Sequence, residues 1–146
     1  MTSTENLNPA AVVAGQELPP LSIPITLQRL VMEAGANRDL SLIHHDAGVA
    51  QATGAPDAFA NTFFLMGMFE RLMRQWAGPR ARVRKIGPLR MMVFNAVGDT
   101  VTFRGTVESV DAGSGTLTLQ MWVESERGKT ATCSAVLALE RSSLPV

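Results

Sequence analysis

The stretch NTFFLMGMFERLMRQWAG, residues 61–78, decides the fold. Its first half has no polar face: Phe63, Phe64, Leu65, Met66, Met68 and Phe69 cover every side of a helix. A helix that is hydrophobic all round must be buried all round. Glu70, Arg71, Arg74 and Gln75 give only the second half a wet face. Asn61 is a residue type that caps helix starts, and Gly78-Pro79 is a stop signal. The spacing predicts one thoroughly buried helix between them.

On its C-terminal side the period drops to two. Ala81 and Val83 alternate with Arg80, Arg82 and Arg84. VTFRGTVESV (101–110), TLTLQMWVES (116–125) and KTATCSAVLALE (129–140) read as three more strands. The turns fall at Asp111 to Gly115 and at Glu126-Arg127-Gly128. Short turns between consecutive strands make an antiparallel sheet.

On the N-terminal side, Pro19, Pro20 and Pro24 in GQELPPLSIPITLQRL (15–30) suit an extended edge segment. Leu27, Leu30, Val31 and Ala34 then give a short amphipathic helix from Thr26 to near Gly35. NRDLSLIHHDAGVAQATGAP (37–56) is loop-rich, with one helical turn around Asp46 to Gln51. A single sheet buries a helix on most sides only by curling around it. The expectation is therefore an α+β hot-dog fold, a curved antiparallel sheet wrapped around a central buried helix. A plain sheet with the helix on one face is the competing arrangement. Residues 1–15 are small and polar and read as a flexible segment, and residues 16–146 as a single domain.

With 146 residues, 46% hydrophobic and 18% charged, the chain is long enough for one complete core. Thirteen basic residues balance thirteen acidic ones, which argues against a nucleic-acid partner and favours association between subunits. The single cysteine, Cys133, excludes an internal disulfide framework and any multi-cysteine metal site. It alternates with strand neighbours and reads as core. No apolar run is long enough to span a membrane, and MTSTENLNPAAVVAG has no basic start of the kind a secretory signal needs. A cytoplasmic location follows as the expectation.

The chemistry-bearing residues gather in one loop. His44 and His45 are the only two histidines, and Asp39 and Asp46 flank them. A carboxylate and an imidazole on one irregular segment can converge on one water, the imidazole taking a proton near neutral pH. On spacing alone, a capping role for Asp39 and a core hydrogen bond for His44 remain the commoner outcome. Consecutive His44, His45 and Asp46 diverge too strongly for a metal site, and none is expected. Ser114 lies between two glycines but lacks the spacing of a nucleophile elbow, so it reads as turn chemistry. Met66, Met68, Met91 and Met92 read as gap-filling core or as the lining of a wide apolar pocket.

The loop resembles the signature of the MaoC-like (R)-specific enoyl-CoA hydratases and dehydratases, Gly-Asp-x-Asn-Pro-x-His followed by x-Asp. Asp39, His44 and Asp46 match, while Arg38, Ser41 and Leu42 stand for Gly, Asn and Pro. Ala96-Val97-Gly98-Asp99-Thr100-Val101 is similar to the family's x-x-Gly-Asp-Thr-Leu turn. The run from Arg38 to Pro79, with its paired histidines, Asn61 and Trp76-Ala77-Gly78-Pro79, looks most like small subunits of heteromeric steroid side-chain hydratases. The resemblance covers about Gly15 to Glu140.

That likeness implies reversible hydration of a trans-2-enoyl-CoA, the coenzyme A being part of the substrate and no cofactor being needed. It implies that His44 takes a proton from water, and that Asp39 holds the water and delivers a proton to the α-carbon. Ser41 would partly replace the family's Asn. The helix start at Asn61 and Thr62 would supply N–H groups to the thioester oxygen as it gains charge. Arg80, Arg82, Arg84 and Arg90 are candidate contacts for the coenzyme A phosphates, against the alternative of a solvated strand face. The assembly would be a homodimer or a heteromer with a second MaoC-like subunit. An acyl-CoA thioesterase, which needs a helix carboxylate for which only Glu70 qualifies, and a non-catalytic acyl-CoA-binding subunit are the alternatives.

Overall fold

A computed structural model describes residues 6–139. Strand β1 (Leu21–Pro24) leads into helix α1 (Leu27–Asn37), a 3-10 turn at Leu42–His44, short helix α2 (Ala47–Ala52) and the long helix α3 (Thr62–Ala77). Strands β2 (Arg82–Met91), β3 (Thr100–Asp111), β4 (Thr116–Ser125) and β5 (Gly128–Ala138) follow. One antiparallel sheet results, in the order β1-β3-β4-β5-β2. This is the hot-dog fold expected from the sequence.

Alternation decides which face each strand buries. Val101, Phe103 and Val107 of β3, Leu117, Leu119, Met121 and Val123 of β4, and Ala131, Cys133, Ala135 and Leu137 of β5 all point to the core. In-register pairs such as Phe103 with Val123 and Met121 with Cys133 keep those side chains in one layer. Phe64, Leu65, Phe69, Leu72 and Met73 of α3 meet them, and Phe69 stands edge-on to Phe103 with ring centres 5.2 Å apart. Asn61 caps the start of α3 through the Phe64 N–H, and Gly78, at φ +87°, ends it.

The helix is not buried all round. Phe63 is 62% exposed, Gly67 is open to solvent, and Met66 and Met68 are half-buried. The sheet covers only the stripe through Phe64, Leu65, Phe69, Leu72 and Met73. On the other side Phe63, Gly67 and Met68 line an open hollow with Arg29, Met32 and Glu33 of α1. Helix α1 departs from expectation similarly. Only Leu30 and Ala34 are buried, Leu27 and Val31 lie at the surface, and the helix runs two residues beyond Gly35.

Part of the segment read as flexible is tied down. Val12 is buried, Leu7 donates its N–H to Ala77 O, and Gly15 donates to Val107 O. Residues 1–5 lie outside the described residues, as does Glu140 at the expected end of the last strand.

Candidate active site

The Asp39 loop hangs from the end of α1. Arg38 adopts φ +61°, the left-handed conformation that ends helices, although it carries a side chain. That turn lets the Asp39 N–H reach Ala34 O at 2.9 Å. The Asn37 carboxamide oxygen accepts from the same N–H at 3.0 Å. The Asp39 carboxylate then closes an Asx turn, Oδ1 accepting from the Ser41 N–H at 3.2 Å.

Its other oxygen faces His44 and Asn61. Asp39 Oδ2 lies 3.3 Å from His44 Nε2 and accepts from Asn61 Nδ2 at 2.8 Å. His44 is buried, and its Nδ1 lies 2.8 Å from Phe59 O. A carbonyl oxygen only accepts, so Nδ1 donates to Phe59 O and Nε2 is the ring nitrogen left facing Asp39. The imidazole also stands edge-on to the Phe59 ring at 5.3 Å.

The Asp39 carboxyl is held below the usual carboxylate range. The Asn61 amide does most to lower it; partial burial opposes this, and the Ser41 N–H and the two histidines add to the lowering. So a carboxylate favoured in its ionised form faces the second ring nitrogen of His44. Both groups can hydrogen-bond one water between them.

The structure brings Asp39, His44 and Asn61 together. Asn61 spends both ends of its amide, Oδ1 on the Phe64 N–H at 2.7 Å and Nδ2 on Asp39. Its side chain is thus a brace for Asp39, and only the backbone N–H groups at the helix start are left for a thioester oxygen. Thr62 is exposed at that start, where helical N–H groups lack intrahelical acceptors. Ser41 serves Asp39 through its backbone N–H. Its hydroxyl makes no hydrogen bond among the described residues and lies on the surface. Asp46 caps α2 through the Val49 N–H at 2.9 Å, and Asp99 accepts from Ala96 N and pairs with Arg127. Those two motif acids are structural.

The arginines stand apart. Arg80, Arg82 and Arg84 line a hollow with Arg74 at the far end of α3, about 24 Å along the axis from Asn61 at 1.5 Å per residue. Arg90 lies further along β2 and is exposed. Glu70, the candidate helix carboxylate, pairs with Arg74 at 2.8 Å in that same half.

Beside the Asp39 loop, Arg29, Met32, Glu33, Phe63, Phe64 and Met68 line an apolar hollow of about 460 Å³. Met68 both packs on the core and lines this hollow. Glu33, Asn37 and Phe59 were not read as site residues. Glu33 is foreseeable only as the residue one turn before Asn37, and Phe59 acts through a backbone carbonyl that no side-chain pattern reveals.

A MaoC-like dehydratase from Rhodospirillum rubrum has the same fold, with a TM-score of 0.76 over 97% of this chain and 100% of that one at 16% identity. The 3-oxo-4,17-pregnadiene-20-carboxyl-CoA hydratase beta subunit of Mycobacterium tuberculosis is 35% identical over 130 residues, 89% of this chain and 98% of that protein. This chain belongs to the MaoC-like hydratase family. The crystal structure of the ChsH1-ChsH2 complex from the same organism superposes on this MaoC-like chain with a TM-score of 0.83. The match covers 88% of the MaoC-like chain and 98% of the other at 34% identity. No protein-family model matches the sequence. No described helix of this MaoC-like protein is long and apolar enough to cross a membrane. No group of three or more His, Cys, Asp or Glu side chains among the described residues is placed to hold a metal ion.

Proposed function

We propose that this chain adds water reversibly to a trans-2-enoyl-CoA thioester, giving a 3-hydroxyacyl-CoA. The observation that carries this is the contact of His44 Nε2 with Asp39 Oδ2 at 3.3 Å, the imidazole braced at Nδ1 by Phe59 O and the same carboxylate oxygen accepting from Asn61 Nδ2. A water bound to both gives its proton to His44 Nε2 as its oxygen attacks the β-carbon. The proton crosses to Asp39 and passes to the α-carbon, leaving both groups as they began. Asp39, held ionised at rest, carries that proton only in transit. The N–H groups of Thr62 and Phe63 face the thioester oxygen, where negative charge develops. The acyl group extends into the hollow between Met32 and Phe63.

The acyl group is bulky, of the steroid type that the tuberculosis relative is named for, and the working unit pairs this chain with a second MaoC-like subunit. The identity to a protein named as a beta subunit and to a chain of a two-protein complex supports both. The open apolar stripe of α3 supports the pairing as well. A thioesterase reading is weakened by Glu70, which is engaged with Arg74 at the opposite end of the helix.

The test is loss of enoyl absorbance on a panel of trans-2-enoyl-CoAs from short chains to a steroid side-chain thioester, beside Asp39→Asn and His44→Ala. Hydration by the wild type that both variants lose supports the proposal. Thioester binding without turnover makes the chain a non-catalytic subunit, and release of free thiol makes it a thioesterase.

A further inference from the structure

A second carboxylate stands beside the Asp39–His44 pair. Glu33 lies on α1, six positions before Asp39, and is half-buried. The Asn37 carboxamide ties the two acids together, its Nδ2 donating to Glu33 and its Oδ1 accepting from the Asp39 N–H. The Asn61 amide, bonded to Asp39, also acts on Glu33. Glu33 is the one carboxylate among the residues lining the apolar hollow, opposite Phe63 and Phe64. The one cation there, Arg29, donates from Nη1 to Pro24 O at 2.6 Å. Burial pushes the Glu33 carboxyl up; Asn61 opposes this, Asp39's charge adds to the rise, and His44 opposes it. Water activation does not need this group. Its placement puts a carboxyl group in a hollow whose other lining is apolar apart from Arg29.

We propose that Glu33 is a specificity-determining residue that excludes acyl groups carrying a second negative charge and so restricts the site to neutral acyl chains. The proposal rests on the reading of the hollow as the acyl path. Like charges brought together in a partly dry hollow repel strongly enough to change affinity by about tenfold or more. The neutral walls at Met32, Phe63 and Phe64 cannot discriminate by charge, and the Arg29 guanidinium would draw an anion in, so exclusion of an anion belongs to Glu33.

The test compares trans-2-octenoyl-CoA with its ω-carboxylate analogue. The wild type should favour the neutral thioester by about tenfold or more in kcat/KM. Glu33→Gln should bring the ratio toward one, and Glu33→Asp, which keeps the charge, should restore it. A wild-type ratio near one, or a ratio that Glu33→Gln leaves unchanged, overturns the assignment. Should neither thioester turn over, the hydratase reading fails by itself. Equilibrium binding of octanoyl-CoA and its ω-carboxylate analogue to the same three proteins then reads the same ratio.

Discussion

Asn61 Nδ2 donates to Asp39 Oδ2 at 2.8 Å, across 22 positions of sequence, while Asn61 Oδ1 holds the Phe64 N–H at 2.7 Å. One amide thereby locks the first turn of the central helix to the acid of the loop. Helix position and carboxylate position cannot vary independently.

Replacing Asn61 separates those two jobs. Asn61→Ala removes the cap, at about 1 kcal/mol of stability, and with it the largest influence lowering the Asp39 pKa. In the proposed mechanism Asp39 starts ionised, so activity should fall as pH drops through its folded pKa. Without Asn61 that acid limb of kcat/KM moves to higher pH. Asp39's own stabilisation, present above its unfolded pKa and lost as pH falls through the folded one, should shrink at neutral pH as well. Asn61→Asp keeps a capping oxygen but adds a second charge, so it should shift the acid limb further while holding Tm closer to wild type. An acid limb that stays put in both variants would show that the brace has no electrostatic role.

His44→Asn and His44→Ala should differ in stability but not in activity. The Asn amide nitrogen can still donate to Phe59 O, whereas Ala leaves that oxygen without its partner, at about 1–3 kcal/mol if it stays dry. Neither supplies the Nε2 lone pair, so hydration should fall by about 10²–10⁴-fold in both. Thermal melts and single-turnover rates check the two halves separately.

Phe69 and Phe63 lie on one helix with opposite fates. Phe69→Ala removes a fully buried ring and should cost about 3–5 kcal/mol in urea unfolding. Phe63→Ser, at a position 62% exposed, should change stability by no more than about 0.5 kcal/mol. An equal cost at both positions would mean that the exposed stripe is covered in solution.

Cys133 is buried on β5, and burial pushes its thiol pKa up. A buried, protonated thiol is a poor nucleophile. The native protein should react slowly with a thiol-specific disulfide reagent and fast once unfolded in urea. Rapid labelling without denaturant would contradict the packing against Leu89 and Met121.

Period-two alternation placed β3, β4 and β5 within a residue or two, because each has one face wholly in the core. The caps at Thr26 and Asn61 and the stop at Gly78 were legible for the same local reason. Exposure of Phe63 and of Leu27 was not, since an apolar side chain carries no record of whether anything lies opposite it. Asp39 and His44 stood out as residue types, but their meeting depends on the left-handed turn at Arg38. Sequence gives no warning of that turn, because Arg rarely adopts it. Asn61 read as a cap, and its second bond spans too great a separation for any local pattern. The arginine run was visible, but its distance from Asp39, toward the other end of α3, emerged only from the helix's length.

Helix α1 gives the core only Leu30 and Ala34, while Met32 and Glu33 face the hollow and Asp39 begins just past its end. Glu33 and Asn37 are tied to Asp39 by hydrogen bonds, whereas Met32 is exposed and stands clear of that link. On the proposed reading, Asp39 and His44 are anchored through Ala34 O, Asn61 Nδ2 and Phe59 O, while Met32 borders the acyl path with little structural duty. A change at that one position would then alter which acyl groups fit and leave the Asp39–His44 contact in place.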